Sequence, residues 1–293
     1  MSVTRLKALP TRALARGVLS YATATRTLAR LIDHSIAGLE GLLSHGLMSE
    51  EREALTVAIN QQVTNGGGTA RRALFEWEMR WFAEALPKAP ASVLLGGAGD
   101  GAEALPLRAA GYEVHAFEPA ASCLAPLKAA VGPCGSASVL SYQDLLAASL
   151  GKDAQRIAVR RYDAVVLGWN SLSHVLDAET RSQLMRVLAR LCPQGPILLS
   201  FNLISESEPE RKSRAFELGA RAGATLARVR GLPEPEQAER ERFWPHSGFV
   251  HLFTRAEIDA LAKPAGSLAR VRAGPIPHAV MTGPTTSRTP STV

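Results

Sequence analysis

Five residues, Gly97-Ala98-Gly99-Asp100-Gly101, stand directly after a short apolar run and directly before a helical stretch. Where side chains are missing a ligand can approach the backbone, and the first turn of a helix offers unpaired N–H donors to a negative group. Glu118 ends the next predicted strand, at a spacing that turns a carboxylate into the same crevice. There it can accept both ribose hydroxyls of an adenosine. Phe117 and Pro119 flank it and can wall the adenosine. Asp144, in Ser141-Tyr142-Gln143-Asp144, follows the third strand and can accept from an adenine amino group or cap the next helix. Trp169-Asn170-Ser171 closes the fourth strand beside the glycine loop and directs polar groups at the reacting centre. His174 has the ordinary pKa to take a proton from a substrate hydroxyl or amine, and a structural histidine fits the same position. His246 and His251 can line the same mouth. Their spacing is not a metal motif, and no metal site is expected.

These residues need elements to hold them. The first 88 residues read as helical. Leu28, Leu31, Ile32, Ile36, Leu39, Leu42 and Leu43 recur at helical spacing within residues 18 to 46, Ser49 can cap a second helix, and Thr69 a third that stops before Pro87. Strands follow at 92–96, 113–118, 137–141, 162–169 and 196–202. Helices lie between them at 102–110 and 120–131, from Asp144, and at 178–192, the last with Arg181, Arg186 and Arg190 outward. Such alternation implies a parallel sheet covered on both faces, with ligands beyond the carboxyl ends of its strands. Residues 205 to 242 carry both charge signs and interrupt the pattern, as an inserted helix plus loop that is either a lid or a solvated connection. Thr254-Arg255-Ala256-Glu257 is a capping box, and residues 267–272 and 278–282 read as two closing strands. The organisation expected is a helical cap region over 1–88, a ligand-binding domain over 89–282 with an insertion at 203–252, and a disordered tail over 283–293.

Composition narrows the function classes. Hydrophobic residues make up 46% and charged residues 20% of the 293, as in a soluble globular protein, and no apolar run is long enough to span a bilayer. Three dispersed cysteines argue against a disulfide framework or a zinc site and for small buried hydrophobes. The net charge of +6 is moderate. Residues 1 to 30 hold Arg and Lys without Asp or Glu, which suits a solvated helix face, a nucleic-acid or membrane contact, or an organelle transit segment. No secretory h-region is evident, so a cytoplasmic location is expected.

Together these features resemble the class I, Rossmann-like methyltransferases that use S-adenosylmethionine (SAM). The resemblance covers about residues 90 to 282 and rests on VLLGGAGDG, HAFEP, YQD, YDAVVLGWNSLSHVL and VHLFTRAEIDALAKPAG. It implies a seven-stranded sheet with the final strand antiparallel. It also implies Gly97, Ala98, Gly99 and Gly101 beside the methionine portion of SAM, Glu118 and Pro119 at ribose, Asp144 and Leu145 at adenine, and Trp169 and Asn170 near the reacting centre. A small-molecule acceptor is implied, methylated on oxygen or nitrogen, and nucleic acid is not expected as a partner. No motif speaks to oligomeric state. Two departures stand out. Leu95 occupies a position where many members carry an acid, and the fourth strand lacks the Asn/Asp-Pro-Pro-aromatic signature of base and amide N-methyltransferases. The helical N-terminal region is similar to the variable cover of small-molecule methyltransferases, where Tyr21, Trp77 and Trp81 can touch a ligand or simply pack. Three other readings stay open. They are an NAD(P)-dependent oxidoreductase, since Gly97, Gly99 and Ala102 also satisfy G-x-G-x-x-[GA]; an RNA methyltransferase that uses the basic N-terminus; and a binding protein that keeps the fold without turnover.

Overall fold

The computed structural model describes residues 11–65, 73–149, 156–204, 213–232, 240–263, 268–272 and 276–282. In chain order come α1 (Thr11–Gly46), α2 (Ser49–Asn65), α3 (Glu76–Ala85), β1 (Ser92–Gly96), α4 (Ala104–Ala109), β2 (Glu113–Glu118) and, after a 3-10 turn, α5 (Leu124–Val131). Next are β3 (Ser136–Val139), α6 (Tyr142–Ser149), α7 (Arg156–Val159), β4 (Ala164–Leu167), a 3-10 turn at Ser171–His174, α8 (Ala178–Leu191), β5 (Ile197–Ser200) and β6 (Asn202–Leu203). The chain continues through α9 (Arg214–Val229), β7 (Glu241–Trp244), β8 (Gly248–Phe253), α10 (Arg255–Ala262), β9 (Leu268–Arg272) and β10 (His278–Thr282).

Two compact units result: Met1–Met48 with Glu210–Gln237, and Ser49–Pro209 with Ala238–Val293. The linear boundary at residue 88 does not coincide with this division, because α2 and α3 group with the sheet and α9 groups with α1. Thr69 and the 283–293 tail lie outside the described residues. The third helix begins at Glu76, with Phe75 before it donating its backbone N–H to Glu78.

In the larger unit a seven-stranded sheet runs β3-β2-β1-β4-β5-β10-β9. β1 to β5 pair in parallel, and β10 is antiparallel to both its neighbours. This is the Rossmann-like, doubly covered sheet with an antiparallel final strand that the resemblance implied. Period-two alternation sorts the side chains of each strand to opposite faces. Leu94, Val165, Leu167 and Leu199 join one core with Leu145, Leu184, Leu188 and Ile258 from α6, α8 and α10. Val93, Leu95, Ala164, Val166 and Leu198 join the other with Trp81, Phe82, Leu107 and Leu127 from α3, α4 and α5. Each fully buried aliphatic side chain contributes about 1.5–3 kcal/mol, so both faces of the central strands hold the frame.

A second, three-stranded sheet (β6-β8-β7) was not foreseen: β7 and β8 form a hairpin that begins where the stretch expected to be helix plus loop ends, while α9 lies within that stretch. Arg181 also differs from expectation. It is buried, donating to the carbonyls of Val175 (2.9 Å) and Leu176 (2.6 Å), with its guanidinium 5.4 Å from the Phe253 ring centre. The free carbonyls where the 3-10 turn ends take up the donors of a charge that periodicity alone assigned to solvent.

In the smaller unit α1 and α9 run parallel and pack closely. A Cβ on Gly219 would lie 1.9 Å from the Gly38 carbonyl oxygen, and one on Gly223 2.4 Å from that of Leu42. The apolar stripe of α1 is only partly covered, for Leu28, Leu31, Ile32 and Leu39 remain exposed. Tyr21 is exposed as well, whereas Trp81 is buried in core beside Phe82 and His278. Among the described residues no helix is long and apolar enough to cross a membrane.

Candidate functional site

A cavity of about 500 Å³ opens in the larger unit, at the carboxyl ends of β1, β2 and β4. Its volume is in the range of small-molecule sites. Gly97 and Gly99 line it from the loop after β1. Gly97 adopts φ 63°, and a Cβ there would sit 2.6 Å from the Ser171 Cβ, so any larger residue is both strained and obstructed. Gly99 donates its N–H to Glu118 Oε2 at 3.0 Å, and Ala120 donates to Oε1 at 3.1 Å. The glycine loop and the acidic strand end are thus one hydrogen-bonded assembly, and both border the cavity. Burial pushes the Glu118 carboxyl up from its ordinary pKa, while these two N–H donors hold it down. Pro119 lines the cavity beside it.

The other anticipated loop and helix residues sit elsewhere. Ala98 is buried, its N–H donating to the Phe117 carbonyl at 3.1 Å. Gly101 is a packing position, where a Cβ would meet that of Ala130 at 2.5 Å. Leu145 is core. Asp144 Oδ2 accepts from the Ser141 backbone N–H (2.8 Å) and hydroxyl (2.7 Å), and Ser141 Oγ accepts from the Asp144 N–H (3.0 Å), which caps the start of α6. Neither Asp144 nor Leu145 lines the cavity as described; Ser141, Tyr142 and Gln143 do.

β4 ends in an unusual turn. Trp169 (φ 46°) and Asn170 (φ 61°) both take left-handed backbone, which costs non-glycine residues roughly 1–3 kcal/mol each and persists where the surroundings enforce it. They are held there by the Asn170 N–H donating to Ser200 Oγ (2.6 Å) and by the Trp169 ring stacking on Phe75 at 5.1 Å. The turn presents Trp169, Asn170, Ser171 and His174 to the cavity. Asn170 Oδ1 and Asn202 Nδ2 are buried and have no hydrogen-bond partner among the described residues. A lone acceptor and a lone donor of this kind cost about 1–3 kcal/mol apiece, and both residues line the cavity.

His174 Nδ1 lies 3.0 Å from the Phe249 carbonyl oxygen. A carbonyl can only accept, so Nδ1 carries the proton and Nε2 keeps its lone pair. Burial holds the ring below the ordinary histidine pKa, so it is neutral at physiological pH.

The opposite wall comes from α2 and the β7–β8 hairpin. Glu53, Thr56, Val57 and Asn60 line the cavity from α2, and Trp244, His246, Ser247 and Val250 from the hairpin. The two elements are tied by a buried ion pair, Arg52 to Glu241 at 3.2 Å, and by Phe249 donating its N–H to Thr56 Oγ1 at 2.9 Å. His251 lies outside the cavity lining, its Nε2 3.4 Å from Glu257 Oε1; burial and the nearby Arg181 charge keep it neutral. Among the described residues no cluster of His, Cys, Asp and Glu is arranged to hold a metal ion. Cys123 and Cys192 are buried and Cys134 is exposed. Sequence reasoning placed His246 at this mouth and missed the rest of the wall: Glu53, Thr56, Val57 and Asn60 of α2 and Trp244, Ser247 and Val250 of the hairpin. Its one signal was Phe243-Trp244-Pro245-His246-Ser247-Gly248-Phe249, where a Pro-Ser-Gly turn separates two short apolar runs.

No family model and no curated protein matches the chain. Solved structures do. A SAM-dependent methyltransferase from Methanosarcina mazei is 15% identical, with 72% of this chain and 98% of that one covered, at a TM-score of 0.48. A SAM-dependent methyltransferase from Bacteroides fragilis in complex with S-adenosyl-L-homocysteine is 19% identical, with 73% and 79% covered, at 0.47. The Burkholderia thailandensis 1,6-didemethyltoxoflavin-N1-methyltransferase is 15% identical, with 79% and 89% covered, at 0.48. The strand order of the sheet, not these matches, decides the fold.

Proposed function

We propose that this protein is a SAM-dependent methyltransferase acting on an oxygen or nitrogen nucleophile of a small molecule. The observation that carries the proposal is the Gly99–Glu118 assembly at the cavity floor, where a glycine loop open to a ligand's backbone approach meets a carboxylate able to accept two hydroxyls. The residues present fit an adenosyl amino-acid ligand. Gly99 leaves open space where a Cβ would stand, Glu118 suits a ribose, Pro119 and Tyr142 offer apolar walls, and the unpartnered Asn170 Oδ1 awaits a donor. Bound SAM would supply an activated methyl group on a sulfonium.

What the chain itself contributes is position and a proton acceptor. Holding a nucleophile in line with a reactive carbon can supply about 7–11 kcal/mol of barrier reduction. The strained turn at Trp169 and Asn170 and the tied wall of α2 and hairpin give the cavity fixed sides for that purpose. His174 Nε2, neutral and oriented by the Phe249 carbonyl, takes the proton that an acceptor hydroxyl or ammonium must lose.

The dinucleotide reading is disfavoured by the sheet. NAD-binding halves build a 3-2-1-4-5-6 order. Here an antiparallel β10 is inserted between β5 and β9. Calorimetry with S-adenosylhomocysteine and NAD in parallel tests the choice. Saturable heat with the former alone is expected; saturation by NAD alone overturns the proposal.

A further inference from the structure

One ionisable group at the cavity has no part in the proposed chemistry. Glu53, on α2, lines the cavity and is held by two donors, the Leu176 N–H and the Gln143 carboxamide. Leu176 lies two residues beyond His174, so the carboxyl is anchored to the segment that carries the proposed base. Burial, with the negative charges of Asp177, Glu241 and Glu50 around it, pushes its pKa up to about 7. Arg52, its neighbour in sequence, is paired with Glu241. A carboxylate has about four lone-pair sites, so two donors leave capacity for a third partner.

The charge of the lining points the same way. The chain has 33 Lys and Arg against 27 Asp and Glu, yet no Lys or Arg is among the described residues that line the cavity. Glu53 and Glu118 are its acidic groups, and Trp169 and Trp244 are on its walls. An aromatic and acidic lining attracts a cation and repels carboxylates and phosphates. We propose that Glu53 is the receptor for the ammonium group of an amine substrate, and that the cavity selects cationic amines over anions. The substrate class so named rests on the methyltransferase reading; the binding of a cation at Glu53 does not.

The test uses the full chain saturated with S-adenosylhomocysteine at pH 8, and three probes that share one skeleton: 2-phenylethylamine, 2-phenylethanol and 3-phenylpropanoate. Thermal shift and calorimetry are expected to show binding of the amine, weaker binding of the alcohol and none of the acid. Glu53→Gln is expected to weaken amine binding about tenfold or more, the loss of one charge-assisted hydrogen bond, while affinity for S-adenosylhomocysteine stays unchanged. Glu53→Asp should retain part of the amine response. Equal binding of alcohol and amine, preference for the acid, no response to the amine, or a full response in Glu53→Gln overturns the proposal. If Glu53→Gln fails to fold, the wild-type protein decides. Amine affinity should climb between pH 6 and 8 as the carboxyl ionises among Glu50, Asp177 and Glu241, and a flat profile overturns it. Failure of S-adenosylhomocysteine to bind removes the methyltransferase reading separately, and the same amine titration on unloaded protein then tests Glu53 by itself.

Discussion

The two walls of the cavity are built in different ways. The strand-end wall consists of turns that follow β1, β2 and β4, fixed through their own backbone N–H groups, which donate to acceptors on the strand ends and turns of the sheet: Gly99 to the Glu118 carboxylate, Asn170 to the Ser200 hydroxyl, Ser171 to the Gly168 carbonyl. The facing wall is assembled from α2 and the β7–β8 hairpin, segments remote in sequence, joined by side chains: Arg52 with Glu241, Thr56 with Phe249. The first wall inherits its shape from the sheet, whereas the second depends on a few specific pairs. The first carries groups suited to a cofactor and the second groups suited to a substrate. Under the proposed function, chemistry common to many acceptors sits on the rigid frame, and selectivity on a part that can be rebuilt without disturbing the sheet.

The sharpest break between the walls should come from His174, which belongs to the first but is oriented by a carbonyl of the second. His174→Asn is expected to lower kcat by about 10²–10⁴-fold and leave S-adenosylhomocysteine affinity unchanged. An unchanged kcat would remove the histidine from proton transfer. Next comes Arg52→Ala, which strands Glu241 in a buried site and should cost about 3–5 kcal/mol in urea unfolding. The double variant Arg52→Met with Glu241→Leu should recover most of that loss. A single-variant cost under about 1 kcal/mol, the value of an exposed pair, would show that the wall is not held as described. Thr56→Val leaves the buried Phe249 N–H without an acceptor and should cost about 1–3 kcal/mol by the same measurement.

How far these walls can be read from sequence differs in the same way. The strand–glycine–helix pattern and a carboxylate at the end of the following strand are local, and they located Gly97, Gly99 and Glu118 beside one cavity. The doubly covered parallel sheet followed from alternation, and its seven strands with an antiparallel last strand from the resemblance. Asp144 was ambiguous because an adenine acceptor and a helix cap ask for the same residue type; the capping geometry with Ser141 is what formed. Arg181 misled because periodicity treats every charge as solvent-facing, whereas free carbonyls of Val175 and Leu176 drew it inward. The stripe of Leu28, Leu31 and Ile32 misled in the opposite sense, its period being correct and its burial absent. Glu53 was illegible because nothing near it in sequence states its partners, and of the hairpin only its turn residues and His246 could be read.

The last effect is electrostatic and depends on pH. The Glu53 carboxyl is raised in the folded state, so its favourable contribution is complete below the ordinary carboxyl pKa and is lost as pH rises through about 7. Glu53→Gln should therefore gain stability relative to wild type between pH 5 and 8, measured as the change in thermal midpoint. A difference that does not vary with pH would mean that Glu53 is not buried as described.

The central claim is that Glu118 and the glycine loop jointly form the cofactor site. Titration of S-adenosylhomocysteine into folded Glu118→Ala protein tests it most directly. Removing hydrogen bonds to a charged group should weaken binding by about tenfold or more, at 1.5–3 kcal/mol for each bond lost. Affinity equal to that of the wild-type protein would contradict the account.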